Sequence, residues 1–94
     1  METIKVSGNN NKHHVLVYAI STCGWCKRAK NFLKENDVEY EYVDIDVLNN
    51  EDKEKIKQDI ITRGGPLVYP TLIIDNKILI TGAPQDKLKE ILEL

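Results

Sequence analysis

The chain has 94 residues, of which 41% are hydrophobic and 30% are charged, and its formal net charge at pH 7 is −2. This length and balance are typical of one globular domain, and the small charge gives no reason to expect nucleic acid or an anionic membrane as a partner. The longest apolar run, residues 15–20, falls far short of the ~20 residues that span a bilayer. The first residues, METIKVSGNNN, have no apolar stretch like that of a signal peptide, so we expect a cytoplasmic protein.

The first half of the chain predicts strands around one helix. Residues 1–12 form an N-terminal extension, in which residues 2–6 alternate and predict a short edge strand. Residues 14–20 are rich in β-branched side chains and almost wholly apolar, as in a strand that is buried on both faces. Residues 24–36 show apolar side chains at helical spacing, with lysines elsewhere. Residues 38–46 alternate at their start and predict another strand.

Residues 49–65 predict a second helix. Asn50 is the expected N-cap, the acidic residues that follow suit the positive end of the helix dipole, and two glycines end the segment. The apolar stripe of this helix is narrow. It consists of Ile56, Ile60 and Ile61.

Residues 69–81 predict a β-hairpin with Asp75 and Asn76 in its tight turn. A last helix follows, with Pro84 in its first turn, where a missing N–H is tolerated. Its expected core face consists of Leu88, Ile91 and Leu92. The two strands that flank the first helix should run parallel, whereas the hairpin is antiparallel. The pattern therefore predicts an α/β fold with a mixed sheet and helices over its faces.

The only two cysteines, Cys23 and Cys26, stand where the buried strand ends and the first helix begins. A helix N-terminus offers free N–H groups and a positive dipole end, which favour the nucleophilic thiolate. Lys27 and Arg28 add positive charge beside the pair and are expected to tune the pKa there. We therefore expect Cys23 to attack a disulfide and Cys26 to resolve the mixed disulfide, which leaves an intramolecular disulfide.

Two other interpretations of the cysteine pair stay open. The pair could have arisen by chance in a protein that does not use it. A zinc site would need four ligands, and the only histidines, His13 and His14, begin the buried strand, on the order of 20–30 Å from the thiols at ~3.3 Å per residue. We therefore predict no metal site.

Three features together resemble the glutaredoxin family. They are the C-x-x-C at the start of the first helix, the Tyr-Pro-Thr sequence at residues 69–71 that opens a hairpin strand, and Gly82 before the last helix. The order of elements is similar along nearly the whole chain, apart from the N-terminal extension. The resemblance implies a thioredoxin-like (glutaredoxin) fold over residues 1–94, with a four-stranded mixed sheet, helices on both faces and an extra N-terminal strand.

The resemblance also implies roles for residues around the thiols. Pro70 is expected to follow a cis peptide bond, and the Tyr69 backbone to hydrogen-bond an extended substrate beside Cys23. Gly82 would let the chain approach a ligand without a Cβ. Trp25, between the cysteines, is interpreted as an aromatic that faces the partner, with local packing as the alternative. The expected substrate-binding residues are Trp25, Tyr69, Pro70, Thr71 and Gly82.

Two departures from the glutaredoxin pattern concern the electron donor. Glutaredoxins commonly have a lysine three residues before the first cysteine, where this chain has Ile20. Before the last helix they usually read Gly-Gly-x-Asp-Asp, whereas this chain reads TGAPQD, in which Pro84 has no N–H to donate. The segment GAPQDKL is more similar to the NrdH-type redoxins, which are reduced by thioredoxin reductase. We therefore favour a reductase or a thiol other than glutathione as the donor, with glutathione as the alternative.

These features predict a thiol–disulfide oxidoreductase that reduces protein or small-molecule disulfides. The dithiol itself carries the electrons, so no cofactor is required, and we expect a monomer. A different class of function is a non-enzymatic metal or iron–sulfur protein, in which Cys23 of each of two chains would hold a bridging cluster. A third is an adaptor that does not use its thiols.

Overall fold

Five strands and three α-helices make up residues 3–94, the part of the chain that the structure, a computed structural model, describes. In chain order they are β1 (Ile4–Val6), β2 (Val15–Ala19), α1 (Gly24–Glu35), β3 (Tyr40–Asp44), a 3₁₀ helix (Ile45–Val47), α2 (Asn50–Thr62), β4 (Thr71–Ile74), β5 (Ile78–Thr81) and α3 (Gln85–Ile91). The predicted N-terminal strand is confirmed from Ile4 onward, while Glu2 lies outside the described residues. Within residues 3–94, no helix has the length and apolar character that a membrane crossing requires.

The strands form one mixed sheet in the order β1-β3-β2-β4-β5. β2 and β3 run parallel, with Val17 opposite Tyr42, as expected for strands joined through a helix. β4 is antiparallel to both β2 and β5, and β1 is antiparallel to β3. The four predicted strands therefore form the centre and one edge, and the N-terminal strand adds a fifth at the edge next to β3.

Both faces of the sheet are covered, which confirms the predicted three-layer arrangement. Side chains alternate along β2, so Val17 faces the core beneath α1 and α3, and Tyr18 faces the core beneath α2. Leu33 of α1 is fully buried in the first core, and Ile60 of α2 is fully buried in the second. Burying each such side chain stabilises the fold by roughly 1.5–3 kcal/mol.

The start and the apolar face of α2 differ from the prediction. The N-cap is Asn49 rather than Asn50, because the Asn49 side chain accepts the Asp52 N–H at 2.8 Å. Ile61 is wrong as a core residue, since 51% of it is exposed. One residue rotates the helix by ~100°, so the position after Ile60 leaves the stripe that Ile56 shares. Ile56 and Ile60 alone form the buried face of α2.

The hairpin turn and the last helix match their predictions. Asp75 and Asn76 have φ angles of 54° and 56°, the left-handed pair that a tight hairpin turn requires. Pro84 occupies the N-cap of α3. Leu88 and Leu92 are buried against the sheet, with Ile91 partly buried beside them.

His13 joins three parts of the chain at the end of the sheet where β2 begins. Its Nδ1 lies 2.6 Å from Asp75 Oδ2 in the hairpin turn, and its Nε2 lies 2.9 Å from Glu93 Oε2 near the C-terminus. Both ring nitrogens can donate only when the imidazole is protonated. The hydrogen bond to Asp75, followed by that to Glu93, accordingly raises the pKa of His13.

Candidate active site

Cys23 is the N-cap of α1, and its sulfur serves as the capping acceptor. The Cys26 N–H donates to Cys23 Sγ at 3.2 Å, in the place where a Ser, Thr or Asp oxygen usually accepts. The turn before it is held by Asp46, whose Oδ1 accepts the Ser21 N–H at 2.9 Å. The Cys23 side chain is partly exposed. The Cys23 sulfur thus lies at the positive end of a helix and within reach of solvent.

Cys26 occupies a different environment one helical turn further along. It is fully buried in the core beneath α1, although the Ile20 N–H approaches its sulfur at 3.5 Å. Burial, and then the interaction with the Cys23 thiol, raises the pKa of Cys26 to about 12. Cys26 therefore stays protonated while Cys23 is the accessible sulfur.

The effect of Lys27 and Arg28 on the thiols stays a prediction. The Arg28 guanidinium lies 4.7 Å from the centroid of the Trp25 ring, in a cation–π contact. Lys27 lines a groove on another side of α1. The charge that acts on the buried thiol is Lys30, which partly offsets the rise in the Cys26 pKa. Lys30 stands four residues after Cys26 on α1, and this i, i+4 spacing was the signal available in the sequence.

The loop before β4 lies against Cys23. The Tyr69–Pro70 peptide is cis, as the resemblance implied, and the Tyr69 carbonyl oxygen is 3.8 Å from Cys23 Sγ. The side chain of Thr71 is fully buried, and its hydroxyl donates to the Val68 carbonyl at 2.8 Å. Thr71 thus supports the loop from inside, and its part in substrate binding stays a prediction.

Gly82 follows β5 and is joined to the same loop. Its N–H donates to the Pro70 carbonyl at 2.9 Å, and its φ of 78° lies in the left-handed region. A Cβ at this position would meet no atom within 4 Å. Backbone conformation therefore accounts for the glycine without a ligand, and close approach to a ligand stays a prediction.

Trp25 stands out from the surface beside the thiols, with 58% of the residue exposed. It belongs to the first turn of α1, in which Cys26 is the residue that enters the core. Apart from the Arg28 stack, this arrangement leaves a large aromatic face at the rim of the site.

The prediction about the electron donor rests on Ile20 and Pro84, and the structure shows the surroundings of both residues. Ile20 packs its side chain against the core beneath α2, so the position three residues before Cys23 presents no cation. Pro84 caps α3 without a side-chain hydrogen bond and has no N–H. His13 and His14 lie at the start of β2, and no group of three or more potential metal ligands occurs within residues 3–94.

A mixed sheet with helices on both faces, a dithiol at the first turn of α1 and a cis-proline beside it define a dithiol protein of the thioredoxin-like class. The family model described as Glutaredoxin matches residues 15–79. The chain belongs to the glutaredoxin family.

Named relatives agree with this assignment. The chain is 36% identical to Glutaredoxin 1 of Rickettsia conorii over 64 residues, which are 68% of this chain and 60% of that protein. It thus spans less than two thirds of this relative's length. Among solved structures, the glutaredoxin of Methanosarcina mazei Go1 has a TM-score of 0.88 at 29% identity and covers 100% of this chain and 90% of its own. Methanosarcina acetivorans methanoredoxin has the same TM-score and identity, with 100% and 97% covered.

Proposed function

We propose that this protein is a thiol–disulfide oxidoreductase that reduces disulfides of proteins or small molecules. One observation carries the proposal: the two sulfurs differ in environment. Cys23 Sγ is partly exposed at a helix N-terminus and accepts a backbone N–H at 3.2 Å. Cys26 is buried, and its pKa is raised to about 12. This difference supports a division of roles in which Cys23 attacks the substrate disulfide and Cys26 resolves the mixed disulfide.

In the first step, the Cys23 thiolate attacks one sulfur of a substrate disulfide. A bond forms between Cys23 Sγ and that sulfur, the substrate S–S bond breaks, and the other substrate sulfur leaves as a thiolate that takes a proton from solvent. The Cys26 N–H in the first turn of α1 donates to this sulfur at 3.2 Å, so a backbone donor stands at the attacking atom.

In the second step, the Cys26 thiol gives its proton to solvent and its sulfur attacks Cys23 Sγ. The mixed disulfide breaks, the second substrate thiolate leaves, and a Cys23–Cys26 disulfide forms, so that two electrons have passed to the substrate. Burial is the main cause of the raised Cys26 pKa, but the neighbouring Cys23 thiol adds to it. The mixed disulfide removes that second cause, which makes Cys26 easier to deprotonate when it is needed.

The substrate is proposed to lie between the loop before β4 and the first turn of α1. The Tyr69 backbone beside Cys23 would pair with an extended substrate segment, and Pro70 shapes that loop. Gly82 is joined to Pro70 and would form the far wall. Trp25 would add an aromatic contact from the exposed rim.

The electron donor is proposed to be a reductase protein or a low-molecular-weight thiol other than glutathione. Ile20 puts an apolar side chain, packed into the core, where a lysine would hold a glutathione carboxylate. Pro84 removes a backbone donor at the start of α3. A lone reactive pair of cysteines suits the reducing cytoplasm, which we propose as the compartment.

Turnover of a model disulfide tests both parts of this proposal. The wild type and Cys23→Ser are compared, first with dithiothreitol and then with glutathione as the sole reductant. Activity with dithiothreitol that is lost in Cys23→Ser supports the oxidoreductase, and no activity with glutathione supports another donor. Equal rates with glutathione would reject the donor proposal alone. No activity with either reductant would overturn the function.

A further inference from the structure

A basic groove runs along the side of α1 that faces β1 and β3. It has a volume of about 250 Å³, and its α1 wall carries Lys27, Lys30 and Lys34. Tyr42 of β3 and Val6 of β1 line the other side. Val6 precedes the residues that the family model matches, so the groove depends on the N-terminal strand.

The groove has a surplus of positive charge. Among residues 3–94, no Asp or Glu lines it. Lys30 is engaged, because its Nζ bonds Asp44 Oδ1 at 3.1 Å and lies 3.9 Å from the centroid of the Tyr42 ring. Within residues 3–94, Lys27 and Lys34 take part in none of the ion pairs.

This local charge opposes the net charge of the molecule, which is −2. Exposed charges are screened beyond about 8–10 Å at physiological ionic strength, so a partner in the groove responds mainly to the nearby lysines. The complementary occupant is therefore anionic.

The α1 wall of the groove begins at Lys27, one helical turn along the chain from Cys23. The Lys27 N–H donates to the Cys23 carbonyl at 3.1 Å. From Lys27 to Lys34 the helix rises about 10 Å at ~1.5 Å per residue. An extended peptide covers that length in about three or four residues. Trp25 and Arg28 lie on a different side of α1, so the groove is separate from the proposed substrate cleft.

We propose that this groove docks an acidic, extended segment of a protein that exchanges disulfides with Cys23. Carboxylates of the segment pair with Lys27 and Lys34, and its backbone lies along Tyr42. The proposal rests on the proposed function, because the docked protein is a redox partner of the same thiol.

The test uses two disulfide-bonded peptide dimers of equal length, with a run of about four residues beside the cysteine that is Glu in one and Gln in the other. The measured quantity is the ratio of kcat/KM for the Glu peptide to kcat/KM for the Gln peptide, with dithiothreitol as the reductant. We expect the wild type to favour the Glu peptide by about five-fold, and added salt to reduce this ratio.

Two double variants locate the effect. Lys27→Gln with Lys34→Gln should bring the ratio close to one. The matched control, Lys53→Gln with Lys57→Gln, makes the same change in net charge on α2 and should keep the wild-type ratio. A wild-type ratio of one, a ratio kept by the first variant, or an equal loss in both variants would each overturn the docking proposal.

A second measurement separates this proposal from the proposed function. A fluorescent Glu peptide without cysteine should bind the wild type more tightly than the Lys27→Gln/Lys34→Gln variant, as followed by anisotropy. If the wild type reduces neither peptide dimer, the oxidoreductase proposal fails, and this binding still decides the groove. If binding is equal, the groove proposal fails while the redox function stands.

Discussion

The sulfur of Cys23 has two tasks, because it caps α1 and is also the proposed nucleophile. Serine is a good N-cap but a poor nucleophile at neutral pH, so substitution can separate the tasks. We expect Cys23→Ser to keep the melting temperature of the wild type and to lose disulfide exchange. Cys23→Ala should lose exchange and also about 1 kcal/mol of stability. Thermal unfolding and turnover of the three proteins check this, and equal stability of the two variants would contradict the capping role.

Selective alkylation tests the difference between the two thiols. Cys26 is buried, and its pKa is raised to about 12, so it should resist iodoacetamide at pH 7–8. We expect mass spectrometry of the reduced protein to find the label on Cys23, with Cys26 labelled only after unfolding. The control is the Cys23→Ser variant, which should take up almost no label while folded. Rapid labelling of Cys26 in either folded protein would contradict its assigned environment.

At the scale of the elements, the N-terminal extension is fixed to the sheet by close backbone packing. Asn10 exchanges hydrogen bonds with Asp37 and Glu39, both at 2.9 Å. A Cβ on Gly8 would lie 2.6 Å from Asp37 O and from Glu39 N. Only a residue without a side chain lets these two backbone segments approach so closely.

Gly8→Ala should therefore destabilise the protein by about 1–3 kcal/mol, since backbone must move to admit the methyl group. Gly24→Ala is the matched control, because a Cβ there meets no atom within 4 Å, and we expect a change below about 1 kcal/mol. Urea unfolding measures both. A Gly8→Ala protein as stable as the control would show that the extension does not pack as described.

The His13 contacts tie the start of β2 to the β4–β5 turn and to the C-terminal residues, so their strength should follow pH. The pKa of His13 is raised above 6.5, hence its contribution is complete below 6.5 and is lost as the pH rises through the higher folded value. The hydrogen bond from His13 is the largest cause that lowers the pKa of Asp75 below 3.8. The contribution of the Asp75 carboxylate to stability is therefore present above pH 3.8 and is lost as the pH falls through its lower folded pKa.

We expect His13→Asn to lower the melting temperature most between pH 3.8 and 6.5, and progressively less as the pH rises from 6.5 through the raised pKa of His13. Melting curves of the wild type and the variant across this range provide the measurement. His14→Asn is the control, because the His14 ring lies on the surface, 3.7 Å from Glu41. If the difference in melting temperature between the wild type and His13→Asn did not change with pH, the protonated imidazole would not be the source of the stabilisation.

At the scale of the whole molecule, most of the fold could be predicted from the periodicity of apolar residues along the chain. The strand β2 could be predicted because both of its faces are buried and its sequence is therefore apolar throughout. The hairpin turn could be predicted because Asp75 and Asn76 suit the left-handed conformation that it requires. The errors concern choices between neighbours. Asn49 and Asn50 have the same capping chemistry, and Ile60 and Ile61 the same hydrophobicity, so only the rotation of α2 decides between them.

Less of the candidate site than of the fold could be predicted from the sequence. Its two cysteines follow from spacing, but the directions of side chains do not. Thr71 turns inward because its hydroxyl donates to the Val68 carbonyl, and Arg28 lies against the Trp25 ring. Lys30 reaches the neighbourhood of Cys26 through the pitch of α1. These contacts depend on tertiary distances that no local pattern encodes.

The exposed apolar side chains suggest that the chain acts alone. They are dispersed among several elements and include Ile4, Trp25, Val47 and Ile78. Scattered apolar residues are normal on monomers, whereas stable dimers bury contiguous patches. We expect light scattering after size exclusion to give 10.8 kDa for the reduced protein. A mass of about twice that value would reject the monomer.

The cap on α1 also links folding to electron transfer. The hydrogen bond from the Cys26 N–H to Cys23 Sγ is strongest when the sulfur carries negative charge, and it weakens once that sulfur is bound in a disulfide. Stabilisation that exists only in the dithiol state raises the midpoint reduction potential of the couple, as it does whenever the reduced form is favoured. The strength of this one capping hydrogen bond in the dithiol state therefore contributes to the reduction potential of the Cys23–Cys26 couple. Each cycle of the proposed reaction would weaken and restore the hydrogen bond in the first turn of α1.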